Sequence, residues 1–338
     1  MTRLRGAALP GAVAAFALAA AAPILLSAGG DVLHNMVLAA AYVVMALGLN
    51  IIMGFAGLLD LGYVAFFAIG AYTAAYLGSS FRDIHFDFLF ILALAVAATS
   101  LVGTVIGVPT LRLRGDYIAI VTLAFAEIIG QILSNGDTIE FFGGTLTSGP
   151  SGIGPLDRIK LPLLERFGVL DLRPWYWFAL ALVALALIVN VNLRNSRIGR
   201  AWVAMRDDEE AAACAGVPIV RTKLMAYATG AAFGGVGGAF LASYIGVVYA
   251  GQFEVSFSIF IFAMVVLGGL GSIPGVVIGA IALSVVNNYL LPRVLADLPS
   301  KIGLPFDVSA IASGIYGAIL LLVVLFRPQG LVPARTTR

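Results

Sequence analysis

Uncharged stretches of about 20 residues recur along this 338-residue chain, and that is the length a helix needs to cross the hydrocarbon of a bilayer. No single water-soluble core could absorb them all. The balance of residues agrees, with 61% hydrophobic and only 11% charged, against about 25% charged in a soluble domain. The expected fold is therefore all-α: one polytopic transmembrane helix bundle over 1–338 with about ten spans. The spans are read at 7–28, 32–53, 57–78, 86–109, 117–133, 174–192, 223–246, 254–272, 274–291 and 308–326. Glycine is abundant, 39 residues, and small residues let membrane helices approach closely. Spacings of four at Gly230/Gly234, Gly234/Gly238 and Gly275/Gly279 fit such packing.

Other classes are disfavoured. The single cysteine, Cys214, leaves no intrachain disulfide, and the two histidines, His34 and His85, lack metal-ligand spacing, so neither a metal nor a cofactor is expected. A net charge of +2 argues against nucleic acid as a partner. At the N-terminus Arg3 and Arg5 precede an apolar run of about 22 residues, longer than a signal-peptide core, so a retained first helix is expected.

Orientation follows from lysine and arginine in alternate loops. With the N-terminus inside, the inner loops and termini hold 13 such residues and the outer ones 7, four of them in the long loop 134–173. Cytoplasmic N- and C-termini are expected. The 134–173 loop, with Gly and Pro clustered at 147–155 and an amphipathic stretch around 156–170, is either an external cap or a plain connection.

The loop 193–222 is expected on the cytoplasmic side, and it carries a short helix with both ends signalled. Asp207 reads as its N-cap, with Asp208, Glu209 and Glu210 favouring the positive end of its dipole. Gly216 supplies a left-handed stop, followed by Pro218, so a helix of about nine residues over 207–215 is expected. Its alanine-rich face suits docking to another protein. Glu210, Ala211 and Ala212, followed by Gly216, resemble the EAA-x-x-x-G signature of ABC importer permeases, although the usual Ile-x-Leu-Pro continuation is absent. In those proteins the helix couples to an ATPase, which would give Arg206, Asp207, Asp208, Glu209, Glu210, Ala211, Ala212 and Gly216 the coupling role.

Five further stretches resemble the branched-chain amino acid ABC transporter permeases of the Liv type, M subunit. They are Leu47 to Gly54 running into Gly57 to Gly62, Leu111 to Leu123 with Glu127, Ser196 to Trp202, Val265 to Ser272, and Arg327 to Leu331. The resemblance implies an importer made of this chain, a second homologous permease, two cytoplasmic ABC ATPases and a periplasmic amino acid binding protein, in the bacterial inner membrane. Similar permeases carry urea or short amides, so the solute stays open. The chain itself has no P-loop: its three lysines, Lys160, Lys223 and Lys301, follow Ile159, Thr222 and Ser300 rather than glycine. Energy is expected from a partner, or from an ion gradient if the chain is a secondary transporter. A membrane enzyme is disfavoured by the shortage of catalytic groups.

Polar side chains at bilayer depth are costly and usually face a bundle interior or a watery route. The candidates for the solute route are Asn50, Asp60, Glu127, Gln131 and Glu254, with Asn287 and Asn288 as further polar residues. Asp60 is either a route element or an acid at the membrane interface. Glu127 and Gln131, one turn apart, are expected to point inward, either lining the route or bonding a neighbouring helix. Asn50 is expected to join helices, and Glu254 to sit at the outer mouth. The glycine-interrupted segments 48–62 and 268–279 are candidates for a pathway between repeats.

Overall fold

The computed structural model describes residues 30–291, apart from 112, 114, 142–143, 160–166 and 169–170, together with 19–21, 23 and positions between 314 and 333. Helix dominates. Among the described residues seven helices are long and apolar enough to cross a membrane: Asp31–Phe55, Phe88–Thr110, Tyr117–Ser134, Arg173–Asn195, Ile219–Ile245, Ala250–Gly268 and Ile273–Leu290. The molecule is a multi-pass membrane protein. The expected spans 7–28 and 308–326 lie largely outside the described residues, and with them the chain termini.

The helices are α1 (Asp31–Asn50), α2 (Val64–Leu77), α3 (Phe88–Thr110), α4 (Asp116–Ser134) and α5 (Arg173–Asn195), followed by α6 (Arg197–Asp207), α7 (Glu209–Cys214), α8 (Ile219–Ile245), α9 (Val255–Gly268) and α10 (Ile273–Val285). The third expected span, 57–78, is a correction: its helix begins only at Val64 and runs 14 residues. Gly57 takes a left-handed φ of +72°, and the Asp60 side chain accepts the Gly62 amide at 2.7 Å, so the backbone from 57 to 63 turns instead of winding.

α8 is the central helix, packed on α1, α2 and α3. Its glycines permit this. A Cβ at Gly230 would meet Ile52 of the turn that continues α1, and one at Gly238 would meet the backbone of α2 at Phe67 and Ala71. Gly235 faces Thr99 and Ala95 of α3. The same device closes α9 on α10, where Gly279 faces the Met264 carbonyl and Gly268. Close backbone approach thus takes the place of interlocking large side chains. Large apolar groups instead stand exposed on the outer faces, among them Leu101 and Val105 of α3 and Leu185 and Ile188 of α5.

The two ends of the bundle differ. At one, the 134–173 segment folds over the helix tips. Ile153 and Val248 exchange backbone hydrogen bonds, the Asp157 amide reaches the Gly78 carbonyl at 2.6 Å, and Tyr76 bonds the Leu146 carbonyl. The described part of the segment is thus hydrogen-bonded to the helix ends, and much of its expected amphipathic stretch lies outside the described residues. At the opposite end lie α6 and α7.

Candidate coupling site and solute route

The α6–α7 unit is fixed by its own sequence. Ser196 caps α6, its hydroxyl accepting the Gly199 amide at 3.1 Å. Asp208 is extended, with φ −160° and ψ 112°, and its carboxylate accepts the amides of Glu210 and Ala211, each at 2.9 Å. The expected N-cap was Asp207; it is instead the last residue of α6, and the cap falls one position later. The expected helix of nine residues is therefore six, because the extended Asp208 separates it from α6. Gly216, at φ +86°, ends the turn as its sequence position predicts. Ala212 is buried against the unit, whereas Glu210, Ala211 and Cys214 face outward.

Three bonds tie this unit to α8 and to the end of α1. Trp202, fully buried, donates its indole N–H to the Thr222 carbonyl at 2.8 Å. Lys223, also buried, pairs with Glu209 at 2.7 Å. Both anchors grip the start of α8. The third reaches elsewhere: Arg206 donates to the Gly54 carbonyl at 2.5 Å, where α1 breaks. A Cβ at Gly57 would collide with that arginine. Between these parts lies a cleft of about 370 Å³ lined by Gly57, Gly115, Arg206 and the acids 207–210.

The break after α1 is in turn joined to the break between α9 and α10, because the Asn50 carboxamide oxygen accepts the Gly271 amide at 2.8 Å. Asn50 does join helices, as expected. Residues near the C-terminus close the same spot: Leu331 and Val332 donate to the carbonyls of Leu267 and Gly268, and Gly330 lies against Gly269. Leu61 donates its amide to the Thr122 hydroxyl of α4 at 3.1 Å. All five stretches that carry the family resemblance therefore converge at the α6–α7 end. Nothing in their linear order announced this. The anchoring roles of Trp202 and Lys223 were also missed, although a lysine at the head of an apolar helix is a signal that could have been weighed.

The remaining route candidates separate. Asp60 is 1% exposed and lies inside the bundle near the break. Its second carboxylate oxygen, like the Tyr227 hydroxyl, has no hydrogen-bond partner among the described residues. Glu127 and Gln131 overturn an expectation: they point outward from the chain and bond each other at 3.2 Å. The cause is the pattern of α4, whose buried residues Ile118, Ala119, Thr122 and Ala126 turn the other face away. Glu254 precedes α9 at the capped end, exposed and bonded to the Ser256 hydroxyl at 3.3 Å. Among the described residues no cluster suits a metal ion.

The model of the branched-chain amino acid transport system permease component matches residues 32–324. The chain belongs to that family. The high-affinity branched-chain amino acid transport system permease protein LivM of Escherichia coli K12 is 36% identical, over 95% of this chain and 74% of its own. The probable LivM permease of Methanocaldococcus jannaschii is 26% identical, over 87% and 91%. The H-type permease LivH of Salmonella typhimurium is 24% identical, over 88% and 93%. No solved structure matches.

Proposed function

We propose that this permease is the M-type membrane subunit of an ATP-driven importer of leucine, isoleucine and valine, working in the cytoplasmic membrane with α6 and α7 inside. Its partners are a second, H-type permease, two cytoplasmic ATPases and a periplasmic binding protein that delivers the solute. The M-type relatives, similar over nearly the whole chain, support the solute class, and the likeness to H-type permeases supports a homologous partner. The observation that carries the coupling reading is the α6–α7 unit, whose outer face is exposed while its inner face is bonded to two separate parts of the bundle.

The mechanism follows from those bonds. When the ATPases close on ATP, α7 moves with them. The Glu209–Lys223 pair and Trp202 pass the displacement to α8, and Arg206 passes it to the broken end of α1. Since α8 lies against α1, α2 and α3 at near backbone contact, it cannot shift alone, and the bundle changes between outward- and inward-open forms. Interfaces of this kind switch between discrete packings.

Replacing Glu210 and Gly216 together should leave the assembly inserted and hydrolysing ATP while uptake falls at least tenfold, measured as solute accumulated per ATP split in proteoliposomes. Unchanged stoichiometry would sink the coupling role. Collapsing the ion gradients at constant ATP should leave uptake intact, whereas a secondary transporter would stop.

The outward face of α4 is the proposed wall of the route, completed by the second permease. A carboxylate halfway along a span is costly against hydrocarbon, and among the described residues Glu127 accepts a hydrogen bond from Gln131 alone. Glu127→Leu should slow uptake severalfold with assembly preserved. Equal uptake by that variant would place Glu127 outside the route.

A further inference from the structure

A groove of about 600 Å³ lies where α3, α6 and α8 meet, on the side of the unit away from the acidic cleft. Its floor is apolar, with Ile198, Leu224, Met225 and Ala228, and two guanidinium groups, Arg197 and Arg221, stand in its lining with no carboxylate. Among the described residues neither arginine makes a hydrogen bond or an ion pair. Their neighbours differ: Arg200 bonds the Asn195 carbonyl, Arg206 the Gly54 carbonyl, and Lys223 is paired with Glu209. Among the described residues the two positive charges therefore have no paired carboxylate.

Depth identifies the occupant. At 1.5 Å per residue, Ala228 lies about 13 Å along α8 from its first residue and Thr104 about 9 Å before the end of α3. The groove thus starts at the charged end of the bundle and continues along α3 and α8, both long and apolar enough to cross a membrane. A soluble protein could reach the arginines but not this floor, where Met225 is 45% exposed. An anionic head with a hydrocarbon tail fits both parts.

We propose that this groove binds one anionic phospholipid, its phosphate on Arg197 and Arg221 and an acyl chain along the floor. Basic pockets between membrane helices on the cytoplasmic side are suited to such lipids. Because Arg197 belongs to α6 and Arg221 to α8, the lipid braces the joint that Trp202 and Lys223 hold from within.

The test uses the assembled transporter in mild detergent, with retained lipid read by native mass spectrometry. Dioleoyl phosphatidylglycerol should be preferred over dioleoyl phosphatidylcholine by about 30-fold, the effect of two guanidinium groups beside an anionic head. Arg197→Gln with Arg221→Gln should abolish the preference, and Arg197→Lys with Arg221→Lys should keep most of it. Met225→Trp, which fills the floor and leaves both charges, should reduce retention; this variant decides the matter if the double glutamine form fails to assemble. Millimolar inorganic phosphate should not displace the lipid. Equal retention of the two lipids, full retention in Met225→Trp, or ready displacement by phosphate would each overturn the site. So would loss of the ATPases from the double glutamine variant with lipid preference unchanged, since the surface would then belong to a soluble partner.

Discussion

Glu209→Ala is expected to cost the permease about 2–3 kcal/mol of stability and most of its uptake. The reason is its partner. Lys223 is 1% exposed, so removing the carboxylate leaves an ammonium group inside the protein with nothing to balance it. Breaking a fully buried pair in this way costs about 3–5 kcal/mol, and exposed pairs contribute about 0–1. Glu209 retains 35% exposure, which admits water to the stranded charge and sets the expectation below the upper range. Thermal unfolding of the purified assembly measures the loss. Adding Lys223→Met should restore most of the stability, because an apolar pair replaces an ion pair at little cost. Uptake per ATP should remain low in that double variant, since α7 has lost its bond to α8. Recovery of both properties together would mean that the pair only stabilises and does not transmit.

The second large effect is expected at Gly238. A Cβ there would stand 2.8 Å from the Ala71 nitrogen and 3.1 Å from the Phe67 carbonyl carbon, both backbone atoms that cannot rotate away. Gly238→Leu must push α8 off α2, at about 3 kcal/mol or more, the upper end of the cost of overpacking. Little assembled transporter should be recovered from the membrane. The control is Gly130 of α4, whose nearest neighbour to a built Cβ is 3.9 Å away. Gly130→Ala should be neutral or stabilise by about 0.5–1 kcal/mol, as alanine improves a helix interior. If both variants assembled equally well, the glycines of α8 would not set the packing.

These cases also show what could be read from the chain before its structure. Spans were legible because hydrocarbon thickness imposes a length on apolar stretches, and seven of the expected ones stand as long apolar helices. The third was overread, since hydropathy treats Gly57 to Tyr63 as apolar while Gly57 and the Asp60 turn decide the backbone locally. The stop at Gly216 was legible because only glycine takes that φ without strain; the cap was displaced by one residue because two adjacent aspartates, Asp207 and Asp208, offer the same chemistry. Glu127 was misjudged for a different reason. Spacing places it on the face of Gln131 but does not say which face meets the rest of the chain. The clasp of Asn50 on Gly271 joins residues 221 positions apart, and no local pattern encodes such a pairing.

The outward Glu127 bears on how a cell must produce this protein. Standing alone in a bilayer, the subunit would drag water toward an ionised group or thin the lipid around it, at a cost of several kcal/mol. Covering of α4 by the proposed second permease would remove that burden. Its lifetime in the cell should therefore track the supply of that proposed second permease.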